Sequence, residues 1–590
     1  MWKHSVSFLL FILIWCDFNN LATARTSKKL KVRLPDDGIL VGRHWTSHKG
    51  RSLRAFLGIP YAQPPIGLLR FYQPLPYISW DGERLAIQDA PECMHRDLYT
   101  QRPDIYGKED CLYLNVYTPE NANPLKPLPV MVYFHDGGLT SGSSLSQQYR
   151  PDYLLDHDIV LVTGNYRLGV LGFLSTEYFD CPGNFGLKDQ VEMLRWVKKN
   201  IKSFGGDPKS VTIFGNGFGA ASITYHLWSN LSKGLFHKAI VQSGTYFNPW
   251  AQPQVVVPPL VHVNLLGILT ACNGFEYEGD MMRCLRMADA RDLVGTSFEV
   301  YAWDFNPIVT LPPVYEPPHE GAFLTHLQGR DELPHGFFLP LMIGATSEEG
   351  LVKTIPLVNT PDALIDFKLS MKWLLAVALQ YEQHNDMDQL LITDKIQGFY
   401  FKNGPDFNKY DHTNLTAAFS DALFLAGIDK YIRMRMNAQL NNTTPPFYVY
   451  LFEQRVPASF TELLMGGSEK FSGVCHGDEL QYLFPLGPKY FPTASPTADD
   501  VKLREAMVAM WVNFAKEGNP TPAGSNLPLW EPAKEYPVRY ARLGNKHPSN
   551  FTLLEMQSNM FEDRLNFWHE LKPHLTKVER EFELTGTLSM

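Results

Sequence analysis

The stretch VTIFGNGFGAAS, from Val211 to Ser222, decides the fold of this chain. The apolar residues at its start, with the preceding serine, favour a short buried strand at Ser210–Phe214. The closely spaced glycines of GNGFG, residues 215–219, are typical of a sharp turn. The residues that follow, Phe218–Trp228, favour a helix. The stretch therefore predicts a strand, a tight turn and a helix in immediate succession.

The same alternation of strands and helices extends on both sides of this turn, from residue 128 to residue 244. Short apolar runs predict strands at Leu128–Phe134, Asp158–Tyr166 and Lys238–Gln242, and apolar periodicity predicts a helix at Leu187–Ile201. This order predicts an α/β fold with a large, mostly parallel central sheet covered by helices on both faces. Ligand sites in such sheets lie at the carboxyl ends of strands, where the GNGFG turn falls.

A turn of this kind holds the nucleophile in serine hydrolases, as the third residue of G-x-S-x-G. Here the third residue is Gly217, which has no side chain. Ser222 falls inside the next predicted helix, and Ser243 ends a different strand. Neither serine is at the tip of the turn, so neither replaces the missing nucleophile.

The N-terminus has the parts of a secretory signal. Lys3 and His4 precede an apolar run of 11 residues, Val6–Cys16, and Ala22 and Ala24 are spaced as a cleavage site. We predict a signal peptide at residues 1–24 and one mature domain at 25–590, secreted to the extracellular space; a short signal anchor is the alternative. The apolar stretch 255–272 is interrupted by prolines, so we expect a buried core element there and no transmembrane segment.

Composition limits the partners of the mature chain. It is 45% hydrophobic and 13% aromatic, with a formal net charge of −9 and no basic stripe. A nucleic-acid partner is therefore not expected. N-glycosylation sequons begin at five asparagines, which predicts surface positions: Asn230, Asn414, Asn441, Asn442 and Asn550.

Six cysteines remain after cleavage of the predicted signal. Cys93 with Cys111 and Cys272 with Cys284 enclose short loops, and in an oxidising compartment such loops suit disulfides worth roughly 2–4 kcal/mol each. Sequence alone leaves the connectivity open. Cys181 and Cys475 are either free thiols or a third bridge.

Several longer stretches carry a family resemblance, among them EDCLYLNVY (109–117), SFGGDPKSVTIFG (203–215) and VCHGDELQYLF (474–484). They resemble the type-B carboxylesterase/cholinesterase family, which implies the α/β-hydrolase fold over nearly the whole mature chain. The resemblance also implies the disulfides Cys93–Cys111 and Cys272–Cys284. Two structural ion pairs are implied as part of the scaffold, Arg70 with Glu109 and Arg167 with Asp189.

The resemblance places the remaining catalytic positions. Its base matches His476, its acid matches Glu349, and its nucleophile matches Gly217. The oxyanion-hole donors match Gly137, Gly138 and Phe218, where the family usually has a small residue at the last position.

Asp136 adds a carboxylate beside the oxyanion loop. About 6 Å from a developing oxyanion, and at an effective dielectric of about 20, it would cost on the order of 3 kcal/mol. The alternative is that its side chain turns away and bonds a loop N–H.

With its catalytic set incomplete, the chain resembles the non-catalytic members of the family: neuroligins, neurotactin, gliotactin and glutactin. We therefore predict an esterase-like pseudoenzyme that binds an extracellular or cell-surface protein and uses no cofactor or metal. One alternative is a carrier of a small apolar ligand in the former active-site gorge. Another is an active carboxylic ester hydrolase with an unconventional nucleophile, which is disfavoured because loss of a triad serine typically removes about 10⁶ of kcat.

Overall fold

The computed structural model describes residues 30–575 of the chain. The gaps within that range are 98–103, 254–258, 275–277, 297–298, 300, 304–305, 326–333, 383, 403–411, 439–444, 457, 465–472, 487–489, 492–494 and 546–550. The predicted signal peptide, Asn441, Asn442 and Asn550 lie outside the described residues. Asn230 and Asn414 have exposed side chains, as glycosylation would require.

An eleven-stranded sheet forms the centre of the molecule, with strand order β16-β15-β14-β13-β12-β11-β9-β10-β8-β4-β3. Seven neighbouring strands, β10-β9-β11-β12-β13-β14-β15 in sheet order, are parallel. Antiparallel strands complete both edges, β16 on one side and β8, β4 and β3 on the other. The strands of this sheet are β3 (Arg43–Thr46), β4 (Ser52–Pro60), β8 (Tyr113–Pro119), β9 (Leu128–Phe134), β10 (Val160–Gly164), β11 (Gly206–Asn216), β12 (Lys238–Gln242), β13 (Leu341–Thr346), β14 (Phe447–Phe452), β15 (Tyr540–Leu543) and β16 (Leu554–Gln557).

Two small sheets lie outside the central one. The first joins β1 (Lys31–Arg33), β2 (Ile39–Val41) and β5 (Glu83–Leu85), and the second joins β6 (His95–Arg96) to β7 (Ile105–Tyr106).

Helices cover the faces of the central sheet, because its parallel strands are apolar on both sides. Every residue of β10, β13 and β14 is buried, which a parallel sheet achieves only under helices. The α-helices are α1 (Gly169–Phe173), α2 (Phe185–Asn200), α3 (Phe218–Trp228), α4 (Pro259–Leu269), α5 (Glu278–Met287), α6 (Ala290–Gly295), α7 (Leu351–Asn359), α8 (Pro361–Leu379), α9 (Asp386–Tyr400), α10 (Thr413–Ser420), α11 (Ala426–Asn437), α12 (Ala498–Glu517) and α13 (Glu562–Leu575). The predicted fold class is confirmed.

Disulfides and buried ion pairs hold the loops against this core. Cys93 is bonded to Cys111 and Cys272 to Cys284, whereas Cys181 and Cys475 are free and buried. Arg70 bonds both carboxylate oxygens of Glu109, at 2.6 and 2.7 Å. Arg167 bonds Asp189 in the same bidentate way, at 2.8 and 2.7 Å. Both oxygens of Glu109 and of Asp189 are therefore bonded by arginines, as expected for structural ion pairs.

The expectation of a buried element at 255–272 is wrong in part. The described residues there include α4, which buries Val263 and Leu266 but leaves Val261 and Ile268 exposed. The helix is thus apolar on both faces but buried on only one. Across the part of the chain that the structure describes, no helix is both long and apolar enough to span a membrane.

Candidate active site

The turn after β11 holds the former nucleophile position. Gly217 follows the last residue of β11, has φ 54° and ψ −118°, and begins α3. Its N–H donates to the Gln242 carbonyl of β12, at 2.9 Å. A left-handed φ of this kind strains any residue with a Cβ. The sequence keeps the sharp strand-to-helix turn and relieves its strain with glycine.

The carboxylate of Asp136 occupies the space in which a side chain at position 217 would lie. A Cβ built on Gly217 would be 2.4 Å from the carboxyl carbon and from both oxygens of Asp136. That distance is shorter than any real contact of such atoms. Asp136 is therefore the group that fills the place of the absent serine.

Asp136 also occupies the oxyanion hole. Its Oδ1 accepts a hydrogen bond from the Phe218 N–H at 2.7 Å, and the Gly138 N–H is 3.5 Å from the same oxygen. Its Oδ2 is 3.0 Å from Nε2 of His476. The alternative in which Asp136 turns away from the site is wrong, because the N–H that it bonds is the oxyanion donor itself.

His476 bridges two carboxylates. Its Nδ1 is 2.6 Å from Oε2 of Glu349, and its Nε2 contacts Asp136. The Thr346 N–H donates to the other oxygen of Glu349 at 2.7 Å, which fixes that carboxylate at the end of β13. With both ring nitrogens bonded to carboxylates, neither Ser222 nor Ser243 is the partner of His476. The Oγ of Ser222 instead donates to the Gly219 carbonyl, at 2.8 Å.

The two carboxylates hold a proton on His476. Burial lowers the pKa of His476, but the charge of Glu349 and the hydrogen bonds to Asp136 and Glu349 raise that pKa well above its ordinary value. Burial raises the pKa of Asp136, but the hydrogen bond and the charge of His476 lower it by more. The pKa of Asp136 therefore lies below its ordinary value. The imidazole ring of His476 is therefore held in its charged form between two acidic side chains.

A further buried carboxyl lies behind this trio. Burial, with the charge of Glu349, raises the pKa of Glu479 to about 7. Asn216 donates to its Oε1 at 2.7 Å, and Gln242 at 3.1 Å. The amide of Asn216 thus supplies a donor to Glu479 without adding another carboxylate to this buried region.

An apolar cavity opens beside Gly217. The Phe218 ring lies on its wall, 5.8 Å from the Trp250 ring and 6.4 Å from the Phe173 ring. The ring of Phe424, in a π-helical turn between α10 and α11, lies 4.9 Å from the His476 ring. Aromatic side chains therefore surround the position of Gly217.

A second cavity shares Asp136 and His476 with the first. Its lining is more polar and includes Glu92, Asp97 and Tyr149. Among the residues placed by the structure, no cluster of three or more histidine, cysteine or acidic side chains could hold a metal ion.

Comparison with known proteins identifies the chain. A model described as the carboxylesterase family matches residues 27–568. Juvenile hormone esterase of Tribolium castaneum is 33% identical over 551 residues, which cover 90% of this chain and 92% of that protein. The chain belongs to the carboxylesterase family. Neuroligin-2 of Mus musculus is 30% identical over 592 residues, which cover 90% of this chain and 66% of that protein.

The fold of this carboxylesterase-family protein also matches a solved structure. Juvenile hormone esterase from Manduca sexta, with OTFP covalently attached, aligns with a TM-score of 0.77 at 27% identity. The alignment covers 92% of this chain and 99% of that one. The resemblance inferred from sequence is thereby confirmed at the level of family and fold.

Sequence reasoning placed Gly217, Glu349 and His476 at one site, and the structure brings these three together. It missed Glu479, although VCHGDELQYLF contains it, because nothing in the stretch indicates a buried carboxyl. It also missed the cavity aromatics, since Trp250 and Phe424 belong to no recurring pattern.

Proposed function

We propose that this protein lacks carboxylic ester hydrolase activity and acts extracellularly by binding. The observation that carries the proposal is the Asp136 carboxylate, which lies where the serine side chain of an esterase would be and bonds the Phe218 N–H. Ester hydrolysis needs a nucleophile, a free base and free oxyanion donors. Here the nucleophile is absent, the base holds a proton between two carboxylates, and a donor is already bonded.

An exposed apolar stripe on α8 supports binding of an extracellular protein. Ile365, Leu369 and Trp373 are 53%, 81% and 51% exposed. Ile365 and Leu369, four residues apart, share one face of the helix, and Trp373 follows a kink at Ser370. The opposite face packs into the core through Phe367 and Met371. Exposed apolar patches of this kind are typical of protein interaction sites.

Charges beside the stripe define the partner that fits it. Asp366 and Lys372 are exposed on either side of Leu369. We therefore infer an extracellular protein whose apolar surface carries a cationic group opposite Asp366 and an anionic group opposite Lys372. A second copy of this chain, turned about a two-fold axis at Leu369, would offer the same charges, so self-association is the competing outcome.

A second candidate function is binding of a small apolar ligand. The apolar cavity beside Gly217 supports it, because its walls are largely apolar and aromatic and its lining includes Trp250, Trp303 and Phe424. Sites for small molecules are concave, apolar and equipped with few polar groups. The reacting groups of an esterase are not needed for such binding.

Absence of ester hydrolysis is tested on the purified secreted protein. The protein is incubated with an organophosphonate probe and with a short-chain aryl ester, and His476→Ala is the matched control. We expect no covalent adduct by intact mass and no hydrolysis above that of the control. An adduct, or a rate that His476→Ala abolishes, would overturn the proposal.

Partner binding is tested by saturable binding of the labelled protein to intact cells. Leu369→Asp should weaken binding at least about tenfold, which corresponds to about 1.4 kcal/mol. Met287→Asp is the control, since Met287 is also exposed but lies on α5. Equal binding by both variants would exclude the α8 stripe. A concentration-dependent dimer in sedimentation, lost in Leu369→Asp, would assign the stripe to self-association instead.

Extracellular location is tested separately, by expression in secretory cells. We expect release into the medium of a chain without residues 1–24, with a mass that an N-glycosidase lowers. An unprocessed chain retained in membranes would contradict both predictions.

A further inference from the structure

We propose that the apolar cavity selects a neutral apolar alcohol and discriminates against the corresponding ester or carboxylate. This inference rests on the second candidate function, ligand binding in the former gorge. It follows from the reversed hydrogen-bonding polarity of the cavity floor, at Asp136, Gly217 and Phe218.

An esterase floor presents N–H donors to the carbonyl oxygen of its substrate. In this chain the Phe218 N–H already donates to Asp136, at 2.7 Å. The lining at this point is the Asp136 carboxylate itself. A carboxylate offers acceptors and no donor. The floor has therefore changed from donating hydrogen bonds to accepting them.

An ester has only acceptor oxygens, so its carbonyl would meet the carboxylate of Asp136 with no shared proton. A polar group desolvated without a hydrogen-bond partner loses affinity. A hydroxyl head group donates its proton to an acceptor and avoids that loss. Sites that present buried polar groups discriminate strongly against ligands that leave those groups unpaired.

Charge decides between a hydroxyl and a charged head group. The Asp136 carboxylate on the lining repels a ligand carboxylate. The walls around it are largely apolar, and a charged head group loses its hydration there at a high cost in free energy. A neutral donor avoids both penalties.

The apolar lining provides the remainder of the affinity. Trp250, Trp303, Phe424 and Leu357 line the cavity, and burial of apolar ligand surface against such walls drives binding. The hydroxyl then sets the orientation, with the apolar part of the ligand directed away from Asp136.

The test compares three ligands with a common ten-carbon chain by titration calorimetry on the full-length secreted protein. They are decanol, decyl methyl ether and decanoate, and the first two differ in the presence of the hydroxyl donor. We expect decanol to bind at least about tenfold more tightly than the ether and than decanoate, a difference of about 1.4 kcal/mol. In Asp136→Asn, whose amide adds a donor, the preference over the ether should fall to about threefold or less.

The outcomes separate the two levels of the proposal. If none of the three ligands binds, the second candidate function fails and this inference fails with it. If decanol and the ether bind alike, ligand binding stands and the inference is overturned. The wild-type comparison decides this without any variant, so an Asp136→Asn chain that failed to fold would leave the test intact. A preference for decanol that Asp136→Asn leaves unchanged would assign the selection to another group, and would overturn the role of Asp136.

Discussion

The two halves of the site have diverged to very different degrees. The acid–base half keeps a short contact, 2.6 Å between Nδ1 of His476 and Oε2 of Glu349. The nucleophile–oxyanion half has lost its serine, and Asp136 fills the space. A buried charged pair is costly to dismantle, because each partner leaves the other unpaired. Packing and charge balance therefore suffice to retain the acid–base half.

The other half shows how loss of a nucleophile is compensated. Replacing serine by glycine exposes two donors to an empty space, the Phe218 N–H and Nε2–H of His476. Buried donors without partners are destabilising. Asp136 accepts from both, at 2.7 and 3.0 Å. The proposal that the site does not hydrolyse esters rests on this same carboxylate.

The largest expected effect tests the retained half. His476→Ala leaves the carboxylates of Asp136 and Glu349 buried without their shared cation, so it should lower the free energy of unfolding by about 3–5 kcal/mol. Urea denaturation at neutral pH measures this. Lys502→Ala is the control, since Lys502 forms an exposed pair with Asp499 at 3.0 Å, and should cost less than about 1 kcal/mol. Similar losses in the two variants would contradict a structural role for His476.

Reconstruction of an esterase tests the altered half. Gly217→Ser alone should remain inactive, because its Cβ would collide with the Asp136 carboxylate. Adding Asp136→Gly frees both the space and the Phe218 donor, and Phe218→Ala restores the small residue usual in the family. Loss of one oxyanion donor costs about 10²–10³ in kcat, so the triple variant should exceed the single one by at least about 100-fold in kcat/KM.

Hydrolysis of a short-chain aryl ester measures that ratio, and Asp136→Gly alone is the control that lacks a nucleophile. Ordinary carboxylesterase rates from Gly217→Ser by itself would mean that Asp136 moves aside freely. The missing serine would then be the only difference between the two halves that affects activity.

The smallest effect concerns Glu479, behind the trio. Burial, with the charge of Glu349, raises the pKa of Glu479 to about 7 in the folded state, whereas in the unfolded chain this carboxyl has its ordinary, lower pKa. The folded state therefore binds a proton that the unfolded chain has released, and the stability gained in this way is complete below the unfolded pKa. It is lost as the pH rises to about 7. Between those two pH values the free energy of unfolding of the wild type falls as the pH rises. Glu479→Gln should make that fall less steep by up to about 1 kcal/mol per pH unit.

Chemical denaturation between pH 5 and pH 7, as an approximate window, compares the slopes of wild type and Glu479→Gln. Glu535→Gln, at an exposed position, should leave the slope of the wild type unchanged. A Glu479→Gln slope equal to that of the wild type would mean that Glu479 is ionised in the fold. The site would then carry one more negative charge than the trio alone.

Local patterns predicted many elements to within a few residues. The strand at Leu128–Phe134, the helix at Phe218–Trp228 and the strand at Lys238–Gln242 have the predicted bounds. Predicted Ser210–Phe214 is longer in the structure, because β11 pairs with β9 from Gly206 onward. Periodicity and turn chemistry depend on residues that are close in sequence. The length of a strand depends instead on the backbone hydrogen bonds that its partner strand can form.

The GNGFG stretch alone places Gly217 at the elbow, where glycine has no side chain to act as a nucleophile. The sequence also predicts the fold and, through the family resemblance, the positions of Glu349 and His476. The position of the Asp136 carboxylate can be read from the folded chain alone. That choice depends on donors from other segments, the Phe218 N–H, 82 residues away, and His476, 340 residues away. A side chain adopts the conformation that satisfies the most buried donors, and those donors meet only when β9, β11 and the loop after β14 come together.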